Sequence, residues 1–268
     1  MTLNNKLSRL KEIISGYGSC LVAFSGGQDS AFLLKICSLV LPKDKLLAVT
    51  AFSATYPVAE LRKAKILAKD IGTRHRIIKT VELDNQDFVS NSVRRCYFCK
   101  KELFRKLISI AGRDKLDFVL DAGNVSDKKD YRPGNIAKNE LKIKSPLVEA
   151  GFTKEDIRKA SRKLGLRTWN KPSLACIASR IPYGTRITPR VLKRIEQAEE
   201  YLNRLGLRQV RLRHYNGLCR IEVDKGDIRR LLSRREAIVG KLKSLGYHYI
   251  TLDLEGYRTG SLNEVIDR

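Results

Sequence analysis

The chain has 268 residues, of which 43% are hydrophobic and 31% charged, a balance typical of globular proteins that excludes a disordered or fibrous chain. Its 53 Lys and Arg against 29 Asp and Glu give a formal net charge of +24, so nucleic acid or a smaller anion must be considered as a partner. No apolar run approaches the roughly 20 residues that cross a bilayer, and the polar N-terminus lacks the apolar centre of a signal peptide, so we expect a cytoplasmic protein with no membrane partner.

The first half of the chain alternates β-rich runs with helical patterns. The predicted strands cover residues 20–24, 46–52, 74–81 and 118–123, with a helix following each of the first three. Strands that alternate with helices of this length predict βαβ units and a parallel sheet covered on both faces. Ligands of such α/β sheets bind at the carboxyl ends of the strands.

The pattern changes after a helix that Thr153 is predicted to cap. A long loop bearing Pro and Gly follows, then a helix over about 188–205, strands over 208–215 and 218–224, more helix, and a last strand over 248–254. We therefore predict two domains, a parallel α/β domain over 1–170 and a smaller α+β domain over 171–268.

The stretch "SGGQDS" follows the first predicted strand and opens a helix. Successive backbone N–H groups and the helix N-terminus form a cradle for an anion, and glycine lets phosphate approach the backbone. A carboxylate beside phosphates is best explained as a Mg²⁺ ligand. The alternative, a plain Gly-Gly turn, is less favoured by this placement. The candidate residues are Ser25, Gly26, Gly27, Asp29 and Ser30.

Six cysteines in a cytoplasmic chain do not suggest a disulfide framework. Apolar or strand-like surroundings indicate that Cys20, Cys37 and Cys219 are small buried residues. The pair Cys96 and Cys99 forms a C-x-x-C motif that could be a zinc half-site, a redox dithiol or part of an iron–sulfur site. Zinc usually needs a second pair of ligands, which the sequence lacks. With Cys176 as a third thiolate, a cluster with one open iron is more natural.

The motif S-G-G-x-D-S resembles the PP-loop ATP pyrophosphatases, which include GMP and NAD synthetases and tRNA thiolases. Longer stretches over nearly the whole chain resemble the LarE family of sulfur transferases. These stretches are "RRCYFCKKELF", "DAGNVSDKKDYRPGNIAKNELKIKSPL", "NKPSLACIASRIPYGTRIT", "RQVRLRHYNGLCRIEV" and "LDLEGYRTGSLNEV".

The resemblance implies that ATP, with Mg²⁺, adenylates a carboxylate of pyridinium-3,5-biscarboxylic acid mononucleotide. Sulfur then displaces AMP and gives a thiocarboxylate, in the maturation of the nickel-pincer cofactor of lactate racemase. In one branch of the family the cysteine at the position of Cys176 gives up its own sulfur. In the other branch three cysteines hold a [4Fe–4S] cluster. Because Cys96, Cys99 and Cys176 are all present, we predict the cluster branch, with the sacrificial Cys176 as the alternative.

The resemblance also places further site residues. The adenine of ATP is expected on Ala51, Phe52 and Ser53, and Gly123, Asn124 and Asp127 fit a loop that contacts nucleotide or Mg²⁺. This loop departs from the family's usual threonine form by having Ala122.

Arginines near the lone cysteine are candidates for binding the phosphate and carboxylates of the substrate. Ser179 and Arg180 follow Cys176, and Arg211 with Arg213 alternate on one strand and so share a face. Solvated surface charge is the alternative for each arginine. Glu222, Glu199 and Glu200 could pair with them or hold a metal, and the sequence does not choose. The predicted catalytic residues are Cys176, Asp29, Arg211 and Arg213.

The expected partners are a small-molecule nucleotide substrate, an unidentified sulfide donor and further copies of the chain in a homo-oligomer. A tRNA-thiolating PP-loop enzyme is the main rival and would account for the charge, but the long stretches do not support it. A nucleic-acid-binding protein with a decayed ATP site is disfavoured by the intact loop. We therefore expect no nucleic-acid partner.

Overall fold

The protein is described by a computed structural model that covers residues 1–129, 133–172, 175–207 and 209–266, with the backbone alone at Lys128 and Lys129. The chain divides into two compact units, Met1–Glu82 with Cys96–Leu174, and Leu83–Arg95 with Ala175–Arg268. This division differs from a single boundary after residue 170, because Leu83–Arg95 groups with the C-terminal part of the chain. The predicted domain boundary itself stays a prediction.

The described helices agree with most of the predicted helical segments. They are α1 Leu3–Tyr17, α2 Gln28–Val40, α3 Val58–Ile71, α4 Gln86–Val89, α5 Arg95–Arg113, α6 Gly134–Glu140, α7 Pro146–Glu149, α8 Lys154–Lys163, α9 Pro189–Arg204, α10 Ile228–Leu232 and α11 Arg235–Ser244. No helix in the described ranges is long and apolar enough to cross a membrane.

The first unit contains a four-stranded parallel sheet in the order β3-β2-β1-β4, which confirms the predicted α/β class. Its strands are β1 Cys20–Ala23, β2 Leu46–Phe52, β3 Arg74–Lys79 and β4 Phe118–Leu120. The chain moves outward from β1 to β3 and then returns to the other side of β1. The switch point between β1 and β4 is where open α/β sheets bind ligands.

Both faces of the central strands β1 and β2 are largely buried, as their apolar sequences predict, whereas the edge strand β3 is partly exposed. Cys20 and Val22 belong to a core that includes residues of α1, α2 and α8, whereas Leu21 belongs to a second core that includes residues of α5. Alternate residues of β1 therefore point into opposite cores. β4 is shorter than predicted and ends at Leu120. The next residue, Asp121, donates its N–H to the carbonyl of Lys144 instead of to a neighbouring strand.

The second unit contains a three-stranded mixed sheet, with β5 Val210–Tyr215 antiparallel to β6 Leu218–Val223 and β6 parallel to β7 Tyr249–Leu252. The buried side chain of Asn91 explains why Leu83–Arg95 joins this unit. Its amide donates to the carbonyls of Ile181, Pro182 and Thr185. These bonds satisfy backbone carbonyl groups of the irregular loop that follows Arg180.

Candidate active site

The predicted phosphate loop lies between β1 and α2, with Gly27 as the N-cap residue of the helix. Gly26 has φ +64°, and a Cβ added to it would lie 2.8 Å from the Cβ of Ala64 on α3. Only glycine tolerates both that backbone conformation and that approach. The sequence motif and the packing of α3 thus require the same residue.

The carbonyl groups of the loop are bonded from within the first unit. Tyr56 Oη donates to the Ser25 carbonyl at 2.6 Å, Lys171 Nζ to the Gly26 carbonyl at 2.8 Å, and Ser30 Oγ to the Gly27 carbonyl at 3.2 Å. Because these carbonyl oxygens already accept hydrogen bonds, the groups that remain for a ligand are mainly the backbone N–H donors, which suit an anion.

No sequence motif identified Lys171 or Tyr56 as a residue of the phosphate loop's surroundings. Lys171 also pairs with Glu60 of α3 at 2.6 Å, and Glu60 receives a second hydrogen bond from Lys63. Burial raises the pKa of Glu60, but the hydrogen bonds from Lys171 and Lys63 outweigh burial, and the net shift lowers it. The only available signal for Lys171 was its place in the stretch "NKPSLAC".

Asp29 lies in the first turn of α2 and accepts a hydrogen bond from Asn124 Nδ2 at 3.0 Å. Asn124 is buried, and its backbone N–H donates to Asp127 Oδ2 at 3.1 Å. A Cβ on the neighbouring Gly123 would lie 3.3 Å from a carboxylate oxygen of Asp121. The structure therefore brings Asp29, Asn124 and Asp127 together, and their carboxylate and amide oxygens are of the kind that can hold Mg²⁺. Asp130, Tyr131 and Arg132 of the same loop lie outside the described residues.

Ala51, Phe52 and Ser53 lie at the carboxyl end of β2, where the adenine is expected. Ser53 Oγ donates to Glu82 Oε1 at 2.5 Å, and Thr55 Oγ1 donates to the same oxygen at 2.7 Å. This buried cluster holds the backbone that follows β2. Glu82 was not predicted as a site residue, and no motif marked it.

Cys96 and Cys99 lie in the first two turns of α5, Cys96 exposed and Cys99 half-buried. Residues three apart on a helix are neighbours on its surface, so both thiols lie on one side of α5. The donor chemistry therefore fits two ligands of a metal cluster.

Cys176 of the second unit is exposed and precedes a short 3-10 helix, Ile177–Arg180. Arg180 donates from Nη1 to the carbonyls of Ala175 and Cys176 at 3.0 and 3.1 Å, and it forms a two-fold ion pair with Glu199 of α9. Burial disfavours charge on Arg180, but the carboxylate of Glu199 outweighs it and the pKa of Arg180 is raised, with a smaller contribution from Cys176. Arg180 thus holds the backbone of the cysteine segment.

Arg211 and Arg213 are both buried, so neither is a solvated surface charge. Arg213 forms a two-fold ion pair with the fully buried Glu222 at 2.8 Å and donates to Ser179 O and Ser261 Oγ. The structure thus assigns Glu222 to Arg213 and Glu199 to Arg180, a choice the sequence left open. Glu200 instead pairs with Arg204 on the exposed side of α9.

Arg211 lies over the ring of Tyr257 and donates to the carbonyl of Val210. Burial lowers the pKa of Arg211, and the positive charge of Arg180 lowers it further. The second unit therefore brings together Ser179, Arg180, Arg211 and Arg213. A bound anion would offset the positive charge around Arg211.

The other three cysteines are buried, as predicted. Burial raises the pKa of Cys37, and it raises the pKa of Cys219 to about 12, so neither is a thiolate at neutral pH. In the parts of the chain that the structure describes, no three His, Cys, Asp or Glu side chains come close enough together to hold a metal ion. The [4Fe–4S] cluster stays a prediction.

A parallel sheet with its switch point beside an S-G-G-x-D-S anion loop defines a PP-loop ATP-binding protein of the ATP pyrophosphatase class, for which ATP with Mg²⁺ is implied. In agreement, the NAD synthase family model matches residues 4–101. The chain is also 26% identical over 189 residues to a glutamine-hydrolysing GMP synthase component of Thermoplasma acidophilum, covering 64% of this chain and 60% of that protein.

Two relatives match the whole chain. The pyridinium-3,5-bisthiocarboxylic acid mononucleotide synthase of Lactiplantibacillus plantarum is 36% identical over 267 residues, which are 100% of this chain and 97% of that protein. An uncharacterised protein of Synechocystis is 38% identical over 99% of this chain and 100% of its own length. The chain therefore belongs to the LarE family of pyridinium-3,5-bisthiocarboxylic acid mononucleotide synthases, and it is an ATP-dependent sulfurtransferase.

Proposed function

We propose that the protein uses ATP to convert a carboxylate of pyridinium-3,5-biscarboxylic acid mononucleotide into a thiocarboxylate. A carboxylate oxygen attacks the α-phosphorus of ATP, the bond to the β-phosphate breaks, and pyrophosphate leaves. A sulfur nucleophile then attacks the acyl carbon and AMP leaves. The full-length similarity to the Lactiplantibacillus synthase supports this substrate.

The observation that carries the proposal is the anion loop with its occupied carbonyls. Tyr56, Lys171 and Ser30 bond the carbonyls of Ser25, Gly26 and Gly27, so the phosphates of ATP meet backbone donors and the positive end of α2. Asp29, with Asn124 beside it, would hold Mg²⁺, which supplies positive charge to the phosphates.

Arg211 is the residue best suited to bind an anionic group of the substrate. It is buried beside Arg180, and its pKa is lowered by burial and by that neighbouring charge. A phosphate or carboxylate placed there gains two-pronged hydrogen bonds and balances the charge. Arg213 and Arg180 are bonded to Glu222 and Glu199, and we assign them the role of positioning the cysteine segment and Ser179.

For sulfur delivery we propose that Cys96, Cys99 and Cys176 hold a [4Fe–4S] cluster, which would supply an open iron for an exogenous sulfide. Cys176 is exposed and its backbone is held by Arg180. The alternative is that the Cys176 thiolate attacks the acyl carbon of the adenylate and AMP leaves, which gives a thioester. Loss of its Cβ–S bond and of the α-proton then leaves dehydroalanine and the thiocarboxylate.

The reaction is tested by product analysis with ATP, Mg²⁺, sulfide and the dicarboxylate mononucleotide. We expect AMP and pyrophosphate in equal amounts with thiocarboxylate, and none of these products from Asp29→Asn. Asp44→Asn is the matched control, since Asp44 lies in a short 3-10 helix away from the phosphate loop. Release of ADP and phosphate, or turnover only with tRNA as the acceptor, would contradict the proposal.

The cluster is tested by anaerobic purification with iron and sulfide analysis. We expect about four irons per chain, and loss of the iron and its visible absorbance in Cys96→Ser, Cys99→Ser and Cys176→Ser. The buried Cys37→Ala is the control that keeps both. A metal-free anaerobic protein whose Cys176 loses the mass of H₂S on turnover would establish the sacrificial route instead.

The remaining expectations concern the oligomeric state, the location and the sulfide donor of the enzyme. We propose a homo-oligomer in the cytoplasm, supplied by a sulfide donor whose identity is open. Size-exclusion chromatography with light scattering measures the oligomeric state, and a fully active monomer would overturn the proposed homo-oligomer.

A further inference from the structure

The second unit carries a groove that the proposed reaction does not use. It has a volume of about 540 Å³ and is lined by Arg190, Arg194, His214, Asn216 and His248, among others. Of the described residues that line it, none is acidic. This volume lies within the range of pockets that hold small molecules.

α9 contributes both arginines of the groove and therefore most of its positive charge. Thr188 caps this helix, and its first turn contains no acidic residue but carries Arg190. The N-terminus of a helix bears about half a positive charge, so Arg190 and Arg194 add to a field of their own sign. Such an arrangement costs stability unless an anion is bound.

Three side chains of the groove, His214, Arg194 and His248, pack against neighbouring residues. His214 is 2% exposed, and its Nδ1 lies 3.2 Å from the hydroxyl of Tyr247. The guanidinium of Arg194 lies over the ring of the same tyrosine at 5.3 Å. Gly246, at φ +93°, leaves room for it, because a Cβ there would lie 2.9 Å from Arg194 Nη2. His248 in turn lies against Gly217, where an added Cβ would be 3.0 Å from its ring.

This groove differs from the site around Arg211 and Arg213. Successive residues of a strand point to opposite faces, so His214 and Arg213 of β5 face away from each other. The register of β5 with β6 agrees, since His214 lies opposite Cys219 while Arg213 lies opposite Arg220.

We propose that the groove is a second anion site, which binds a phosphate-bearing small molecule. Two guanidinium groups provide charge-assisted hydrogen bonds to phosphate oxygens, and the imidazoles and the Asn216 amide provide further donors. Burial and then the charge of Arg194 lower the pKa of His214, which agrees with a local excess of positive charge.

The three histidines of the chain provide the test. In the full-length protein at constant pH and ionic strength, inorganic phosphate and then a nucleoside 5′-monophosphate are titrated while the imidazole C–H signals are followed by NMR. We expect saturable shifts of His214 and His248. His75, in the first unit, should not move with the same affinity. Tighter binding of the monophosphate would identify a larger phosphomonoester as the ligand.

Two variants complete the test. Arg190→Gln, at the exposed start of α9, and Arg194→Met should each weaken phosphate binding by about tenfold or more. Arg204→Met, at the other end of the same helix, should leave binding unchanged. Equal shifts with chloride, shifts of all three histidines together, or full affinity in Arg190→Gln would overturn the proposal. None of these outcomes depends on the adenylation reaction.

Discussion

At the scale of single residues, the phosphate loop shows how packing and chemistry converge on one position. Gly26 satisfies a left-handed backbone conformation and the close approach of Ala64, and the absence of a Cβ is also what the motif predicts for a loop that receives phosphate. Lys171 has two tasks as well, since it bonds the Gly26 carbonyl and neutralises Glu60.

Replacing Gly26 with alanine should destabilise the fold by about 1–3 kcal/mol, because φ is +64° and the new Cβ meets Ala64. Pyrophosphate release should fall below detection. Urea unfolding and product analysis measure the two effects. Gly16→Ala in α1 is the control, since nothing lies within 4 Å of the added Cβ, and it should stabilise by about 0.5 kcal/mol. A neutral Gly26→Ala would contradict the close packing.

Lys171→Met should raise the KM for ATP several-fold, because the loop loses the bond that orients Gly26. Lys63→Met removes the other lysine from Glu60 without touching the loop, so its KM should stay unchanged. Steady-state kinetics of the two variants provide the comparison. Equal KM values for both would show that Lys171 has no positioning role.

The pH dependence of stability follows from the same carboxylate. The pKa of Glu60 is lowered from 4.5 in the folded protein, so its ion pairs contribute fully above pH 4.5 and are lost as pH falls through the lower folded value. The difference in unfolding free energy between wild type and Lys171→Met should therefore be largest near neutral pH and should shrink below pH 4.5. Urea unfolding across this range measures it, and a difference that grows in acid would contradict the sign.

Glu222→Gln should cost about 3–5 kcal/mol of unfolding free energy, since it leaves the buried Arg213 without its carboxylate. Glu200→Gln removes an exposed partner on the surface of α9 and should cost less than about 1 kcal/mol. Thermal or urea unfolding distinguishes the two. Similar costs would mean that Arg213 finds another partner.

At the scale of elements, local signals and tertiary packing agree closely in the first unit. α8 begins at Thr153, the cap that its sequence predicts, and the structure adds a capping box in which Thr153 and Asp156 exchange hydrogen bonds. β5 is different. Its alternating arginines suggest a solvent-exposed face, yet residues Val210 to His214 are all buried. Arg213 can be buried because Glu222 and the carbonyl of Ser179 accept its hydrogen bonds.

Thr153→Ala should lower the unfolding free energy by about 1 kcal/mol, because the cap of α8 is lost and Asp156 loses a donor. Thr2→Ala removes a longer and exposed cap bond at the start of α1 and should have a smaller effect. Urea unfolding of both variants tests this ranking, and a larger effect at Thr2 would refute it.

At the scale of the whole molecule, some of the cations behind the net charge of +24 are buried inside the protein and others lie on its surface. Arg180 and Arg213 are buried in ion pairs, and Arg190 and Arg194 line the groove of the second unit. Two of these charges are neutralised inside the protein, and the other two belong to the proposed anion site. The total charge of a sequence therefore says little about nucleic acid until the positions of the charges are known.

Much of the fold followed from local pattern. Apolar runs located β1 and β2, and the motif after β1 located the phosphate loop, since strand burial and loop conformation depend on neighbouring residues. Apolar surroundings also marked Cys20, Cys37 and Cys219 correctly as buried. These features are determined by short-range physical chemistry that the sequence displays directly.

Other features were decided only by tertiary structure. Lys171 reaches Gly26 across 145 positions of the chain, and Asn124 reaches Asp29 across 95. Asn91 bonds the loop after Arg180, which moves Leu83–Arg95 into the second unit. No local pattern encodes such partners, because they meet only when separate elements pack. The sequence by itself determined the chemical class of the protein and its candidate groups, and the tertiary structure decided which groups hold one another in place.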